Sequence, residues 1–180
     1  CSLSRLCRSG NTYVDFKLTT DEPLISLTPR MRQVSDVARD MEASMEIQDL
    51  PFNRWLGLQV DGDRISLEPQ EQHLNHVGTV HATVIFGVAE AATGSFLLKR
   101  FPELPNAYVA LLRESNIKYR RPSALGSTIL AQGSLSDEDA SRFLATLESR
   151  GRATVEIAVT VTQSDTEVFA GTFKWFATTK

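Results

Sequence analysis

Cysteine is nearly missing from this chain: two in 180 residues, Cys1 and Cys7, both within the first ten positions. Neither can staple a core, and such scarcity fits a reducing compartment better than a disulfide-built secreted domain. A surplus of basic charge is missing too; the net charge of −3 argues against broad nucleic-acid binding. No apolar run reaches the roughly 18–20 uncharged residues of a membrane span, because Glu90 interrupts the stretch 82–98. Internal repeats and low-complexity tracts are absent. Histidine is sparse, and His73, His76 and His81 all fall in one turn. No cysteine or dense carboxylate cluster joins them, whereas zinc needs three or four converging ligands, so neither a metal nor a cofactor is expected.

What is present is ordinary for a globular domain. Hydrophobic residues make up 42% and charged residues 23%, and the length suits one core. The first ten residues carry two Arg, three Ser and no acid. Residues 1–28 are therefore read as a tail of uncertain status, compatible with a transit-peptide remnant, a translated upstream region or an expression scar. The expected location is cytoplasmic, or an organellar matrix if the tail is such a remnant.

Val34, Val37, Met41 and Met45 recur at helical spacing and predict a leading helix over 29–48, ended by Pro51. Phe52, Trp55 and Leu56 read as a short apolar turn. D-G-D at 61–63 predicts a hairpin between strands at 57–60 and 64–67. A polar turn, 71–79, then leads into a long helix from about Val80 to Arg100, closed by Pro102 and Pro105. Extended segments follow at 107–121 and 127–135. Ser136 with Asp139 opens a short helix on Phe143, Leu144 and Leu147, and Gly151 caps it. Two last strands, 152–163 and 167–178, flank S-D-T. This order predicts an α+β domain over 50–178, with the long helix lying across one curved antiparallel sheet.

One stretch stands apart, N-H-V-G-T-V-H-A-T-V-I-F-G-V-A-E at 75–90. A carboxylate within an apolar helix is costly unless paired, solvated or used, so Glu90 is either the helix's one wet position or a working group. Asn75 is a turn residue or a site residue, and His81 a helix cap or a site residue. His73 and His76 read as surface side chains. Lys118 and Arg120 alternate with Ile117 and Tyr119, so they share one strand face, with Arg121 opposite unless the strand bends. Cations there either solvate an edge or meet phosphates.

The spacing resembles the hotdog-fold acyl-CoA thioesterases, the superfamily of 4-hydroxybenzoyl-CoA and phenylacetate-pathway thioesterases. There an Asn or Gln lies six residues before a His, and an Asp or Glu nine after it. Asn75, His81 and Glu90 fall on those positions, with Gly78 in the turn. The Glu is similar to the 4-hydroxybenzoyl-CoA branch. Two departures stand out. Ala82-Thr83 replaces a frequent Gly-Gly, and Gly94 stands where some members carry Ser or Thr, with Thr93 one position before.

The resemblance implies a hotdog fold around the long helix, with the helix at 136–150 inserted between two late strands. It implies hydrolysis of acyl-CoA or acyl-carrier thioesters. The N–H groups of Ala82 and Thr83 would polarise the carbonyl, and Glu90 would serve as base or nucleophile. Lys118, Arg120 and Arg121 would lie beside the CoA phosphates. It also implies a homodimer or dimer of dimers, because Ala82 and Glu90 are about 12 Å apart along one helix. Asn75, His81 and Ala82 would then meet Glu90 of the other protomer. A non-catalytic acyl-CoA-binding module is the alternative. A hotdog dehydratase needs a differently spaced Asp–His pair, which is not found here.

Overall fold

The computed structural model describes residues 46–180, together with the backbone of three strands before them. The chain divides into two units, Cys1–Met45 and Glu46–Lys180. In the first, β1 (Ser4–Ser9), β2 (Thr12–Lys17) and β3 (Met31–Gln33) form an antiparallel sheet in that order. The helix expected over 29–48 thus meets a strand at its start, where Met31–Gln33 pairs with Thr12–Val14. Residues 34–45 lie outside the described residues.

At Ile47–Asp49 there is a single 3-10 turn. It stops at Leu50, whose φ of −55° and ψ of 135° are those a following proline imposes. Pro51 does not only end a helix. It occupies the first position of α1 (Pro51–Leu56), where its missing N–H costs nothing, so the expected apolar turn is a short helix. Gly57 closes it at a φ of 75°.

The second unit carries a six-stranded antiparallel sheet of β4 (Gln59–Asp61), β5 (Arg64–Leu67), β6 (Tyr108–Tyr119), β7 (Ile129–Ser134), β8 (Arg152–Gln163) and β9 (Thr166–Thr179). The spatial order is β4-β5-β7-β8-β9-β6, so β6 is an edge strand whose sheet neighbour is β9. Against the sheet lies α2 (Ala82–Arg100), and a single helical turn, α3 (Leu104–Ala107), leads into β6. Val84, Ile85, Val88, Ala89 and Ala92 of α2 pack on Ile65, Ile129, Val161, Phe169 and Phe173. By length and composition α2 could cross a membrane, yet most of it is buried inside the protein. A helix buried on most sides is apolar nearly all round, which is why one carboxylate on it is conspicuous.

Between β7 and β8 runs α4 (Asp137–Arg150). The Ser136 hydroxyl accepts from the Asp139 N–H at 3.1 Å, and Gly151 ends the helix at a φ of 65°. Ala140, Phe143 and Leu147 are buried, whereas Leu144, expected on the apolar face, is exposed. Its offset from Phe143 by one residue turns it about 100° away, onto the solvent side. β7 pairs with β5 on one side and with Ala158–Gln163 of β8 on the other, and α4 packs on β8.

Close approach of strands sets one requirement. A Cβ on Gly171 of β9 would lie 2.5 Å from the Asn116 carbonyl oxygen and 3.0 Å from Ile117 Cα. Neither backbone atom can yield without splaying β6 from β9. Gly171→Ala is expected to cost about 1–3 kcal/mol or more, as overpacking does. Urea denaturation measures it; an unchanged midpoint would mean the two strands have slack.

Candidate active site

The loop between β5 and α2 is held by its own side chains. Gln70 donates its N–H to His73 Nδ1 at 3.1 Å, and the His81 N–H donates to the His73 carbonyl at 2.8 Å. Those bonds and the Leu74–Val80 bridge draw His73 under the loop. It is 3% exposed, not a surface residue as the sequence suggests. Burial holds its pKa down, and with Nδ1 accepting, the neutral ring carries its proton on Nε2. His76 is exposed.

Asn75 organises the turn. Its Oδ1 accepts from the N–H groups of Val77 (3.0 Å) and Thr79 (3.2 Å), and its Nδ2 donates to Thr79 Oγ1 at 2.8 Å. Gly78 sits at a φ of 76°, in the left-handed region that favours glycine.

His81 is the N-cap of α2, and its Nδ1 accepts from the Thr83 N–H at 3.1 Å. Of the two amides expected to face a carbonyl, Thr83 is therefore engaged. The Ala82 N–H has no acceptor among the described residues. Both residues are exposed, at the positive end of a 19-residue helix.

The end of β6 approaches from the other side. The Tyr119 hydroxyl donates to the Ala82 carbonyl at 3.0 Å, and its ring stands edge-on to Phe169. Burial raises the phenol's pKa, so it stays a donor. Beyond it the strand bends, because the N–H groups of Arg120 (2.8 Å) and Arg121 (3.3 Å) both point to the Val168 carbonyl. Strict alternation fails there, and both arginines line one cavity of about 300 Å³ with Asn75, Thr79, Ala82, Tyr119 and Ser123. Lys118, grouped with Arg120 by strand alternation, is exposed but does not line it, nor does Gly78. Arg120 donates through Nε to Glu167 at 3.0 Å, which leaves its terminal nitrogens for an anion. Ser123 is buried with no partner for its hydroxyl among the described residues.

Glu90 lies two turns further along α2. Its carboxyl is half-buried and has no partner among the described residues, and burial raises its pKa. Glycines flank it on the same helix face. A Cβ on Gly87 would lie 2.8 Å from Leu56 Cδ1 and 3.4 Å from Phe52 Cε1; one on Gly94 would lie 3.4 Å from Trp175 Cη2. On the helix face that Glu90 shares, α1 packs closely at Gly87 and Trp175 at Gly94. Tyr119, Ser123 and Trp175 are absent from the sequence-derived site. Only Tyr119 carried a signal, as the aromatic within I-K-Y-R-R.

Residues 56–177 match the family described as a domain of unknown function, DUF4442. The chain belongs to this family. No curated protein shows a significant match. Among solved structures, a Pseudomonas aeruginosa protein of unknown function, described as a probable thioesterase, is similar at a TM-score of 0.64 and 19% identity. The match covers 81% of this chain and 96% of that one. A Bacillus halodurans protein solved with CoA gives 0.54 at 17% identity, over 78% and 81% of the two chains. The phenylacetic acid degradation protein PaaI of Thermus thermophilus, as a mutant, gives 0.52 at 21% identity, over 70% and 97%. Identities this low speak for the fold. The fold is the hotdog fold, a long central helix against a six-stranded antiparallel sheet.

Proposed function

We propose that this chain hydrolyses acyl-CoA or acyl-carrier thioesters as a homodimer or dimer of dimers, with Glu90 as base or nucleophile. The observation that carries this reading is the Glu90 carboxyl, half-buried on the central helix without a partner among the described residues, its pKa raised by that burial. A thiolate leaves with a conjugate-acid pKa of about 8.5, so no strong acid is required. Water, losing a proton to Glu90, adds to the carbonyl carbon. The oxyanion forms against the Ala82 N–H and the helix dipole, and collapse breaks the C–S bond to give acid and thiol. As direct nucleophile, Glu90 would form an anhydride that water then opens.

Two further features support it. Arg120 and Arg121 share a cavity with the start of α2, a setting suited to CoA phosphates. A protein of this fold solved with CoA favours that ligand. The exposed side chains of Val109 and Leu111 on edge strand β6 offer a pairing surface for a second copy. A second protomer brings an Ala82 toward a Glu90 that its own helix keeps about 12 Å away.

Thiol release from CoA thioesters, acetyl to palmitoyl and aryl, tests the activity. The engaged Thr83 N–H favours a second reading, an acyl-CoA-binding module without turnover. Tight CoA-thioester binding with no thiol released by any member of the panel would decide for it.

The arginines yield a separate prediction. Arg120→Ala with Arg121→Ala should raise KM about 10- to 100-fold at little cost in kcat, the range of lost charge-assisted hydrogen bonds. The penalty should shrink with salt and on a truncated N-acetylcysteamine thioester, while Lys118→Ala changes little. Equal losses on both substrates would point to a role in the fold.

A further inference from the structure

The turn of α2 that carries Glu90 is contacted by a residue of the last strand. Trp175 of β9 donates its indole N–H to Thr93 Oγ1 at 3.1 Å, and the Thr93 hydroxyl donates in turn to the Glu90 carbonyl oxygen at 2.9 Å. Thr93 is fully buried, so water does not replace either bond. Helical side chains lean toward the N-terminus of their helix, so a side chain at 94 would cover the turn that carries Glu90. Gly94 leaves that ground open, and the Trp175 ring edge occupies it: a Cβ there would meet Cη2 at 3.4 Å and Cζ2 at 3.5 Å. The same indole thus contacts α2 twice, by packing on Gly94 and by hydrogen bonding to Thr93.

We propose that Trp175 and Thr93 are positioning residues for Glu90, fixing the peptide and the wall from which its carboxylate is aimed. The proposal rests on the hydrolase reading above and extends it to two groups that need not touch the substrate. A hydroxyl bonded back to the carbonyl three residues earlier tilts that peptide slightly. Because Thr93 gives its one proton to Glu90, it can only accept from elsewhere, and the Trp175 N–H is the donor that locks this direction. The indole packs on the Gly94 side of Glu90, and Leu56 and Phe52 close in on the Gly87 side.

The test is steady-state kinetics on the full chain, with the preferred CoA thioester, for Thr93→Val, Thr93→Ser and Trp175→Phe. Thr93→Val keeps the shape and removes the hydroxyl; Trp175→Phe removes the donor. Both should lower kcat about 10- to 100-fold with KM within about twofold, the scale of a misaimed group. Thr93→Ser should melt lower than wild type, having lost a buried methyl, yet recover most of the kcat. A merely structural role predicts the reverse, activity falling in step with melting temperature across the set, and that pattern overturns the proposal. Wild-type kcat in a folded Thr93→Val protein, while Glu90→Gln is inactive, overturns the positioning alone. A wild-type protein that turns over no thioester, or an active Glu90→Gln protein, overturns both readings.

Discussion

Glu90→Gln should fold, bind CoA thioesters and lose at least ~100-fold in kcat, the usual scale for removing a positioned base. The amide has nearly the same volume as the carboxyl, so the close packing of α2 at Gly87 and Gly94 is left as it is. Its effect on stability has a definite sign. Burial holds the Glu90 pKa above its unfolded value, so the folded state binds that proton more tightly. The contribution is present below the unfolded pKa and is lost as pH rises through the folded one. At neutral pH Glu90→Gln should therefore be at least as stable as wild type, and any advantage should vanish in acid. Activity should rise with pH on the acid side, with its inflection displaced upward from that of an ordinary glutamate. Near wild-type turnover by a folded Glu90→Gln protein would remove the mechanism.

Ala82→Pro is the sharpest test of the other half of the site. Proline is well tolerated at the first helical position, and His81, at φ −61° and ψ 138°, already has the backbone that a following proline requires. The substitution deletes the one N–H at the start of α2 that has no acceptor among the described residues, and keeps the carbonyl that Tyr119 holds. A loss of ~10²–10³ in kcat is expected, as for other oxyanion donors, with the melting temperature little changed. Mixing Ala82→Pro with Glu90→Gln protomers should restore about a quarter of wild-type activity. Random exchange makes half the dimers mixed, and one of their two composite sites is intact. With exchange verified by mass spectrometry, absence of recovery would refute a shared site.

Much of the fold is legible locally. Ser136 and Asp139 announce α4, Gly151 ends it, and the apolar run at 82–98, interrupted by Glu90 alone, marks a central helix. What is not legible depends on partners distant in the chain. His73 reads as a polar loop residue, and it is the bonds to Gln70 and His81, with the bridge between Leu74 and Val80, that put it inside. Strand alternation pairs Lys118 with Arg120, but two amides converging on Val168 bend the chain and put Arg121 in the cavity instead. Pro51 stops one element and starts the next, and spacing alone does not separate those roles. Asn75, His81 and Glu90 are conspicuous by type and spacing. The hydrogen bonds that Asn75 and His81 make are nonetheless those of a turn and a cap.

The strand order has a kinetic consequence. β6 precedes β7 and β8 in the chain, yet its neighbour in the sheet is β9, with Tyr108 opposite Thr179 and Tyr119 opposite Phe169. Until those last residues arrive, the twelve-residue strand that carries Tyr119 has no ladder to join. Closing so long a loop is entropically slow, so refolding should finish with β6 zipping onto β9. The cavity at the start of α2 would be the last part of the molecule to form. Recovery of ligand binding should lag behind recovery of helix signal in a stopped-flow experiment.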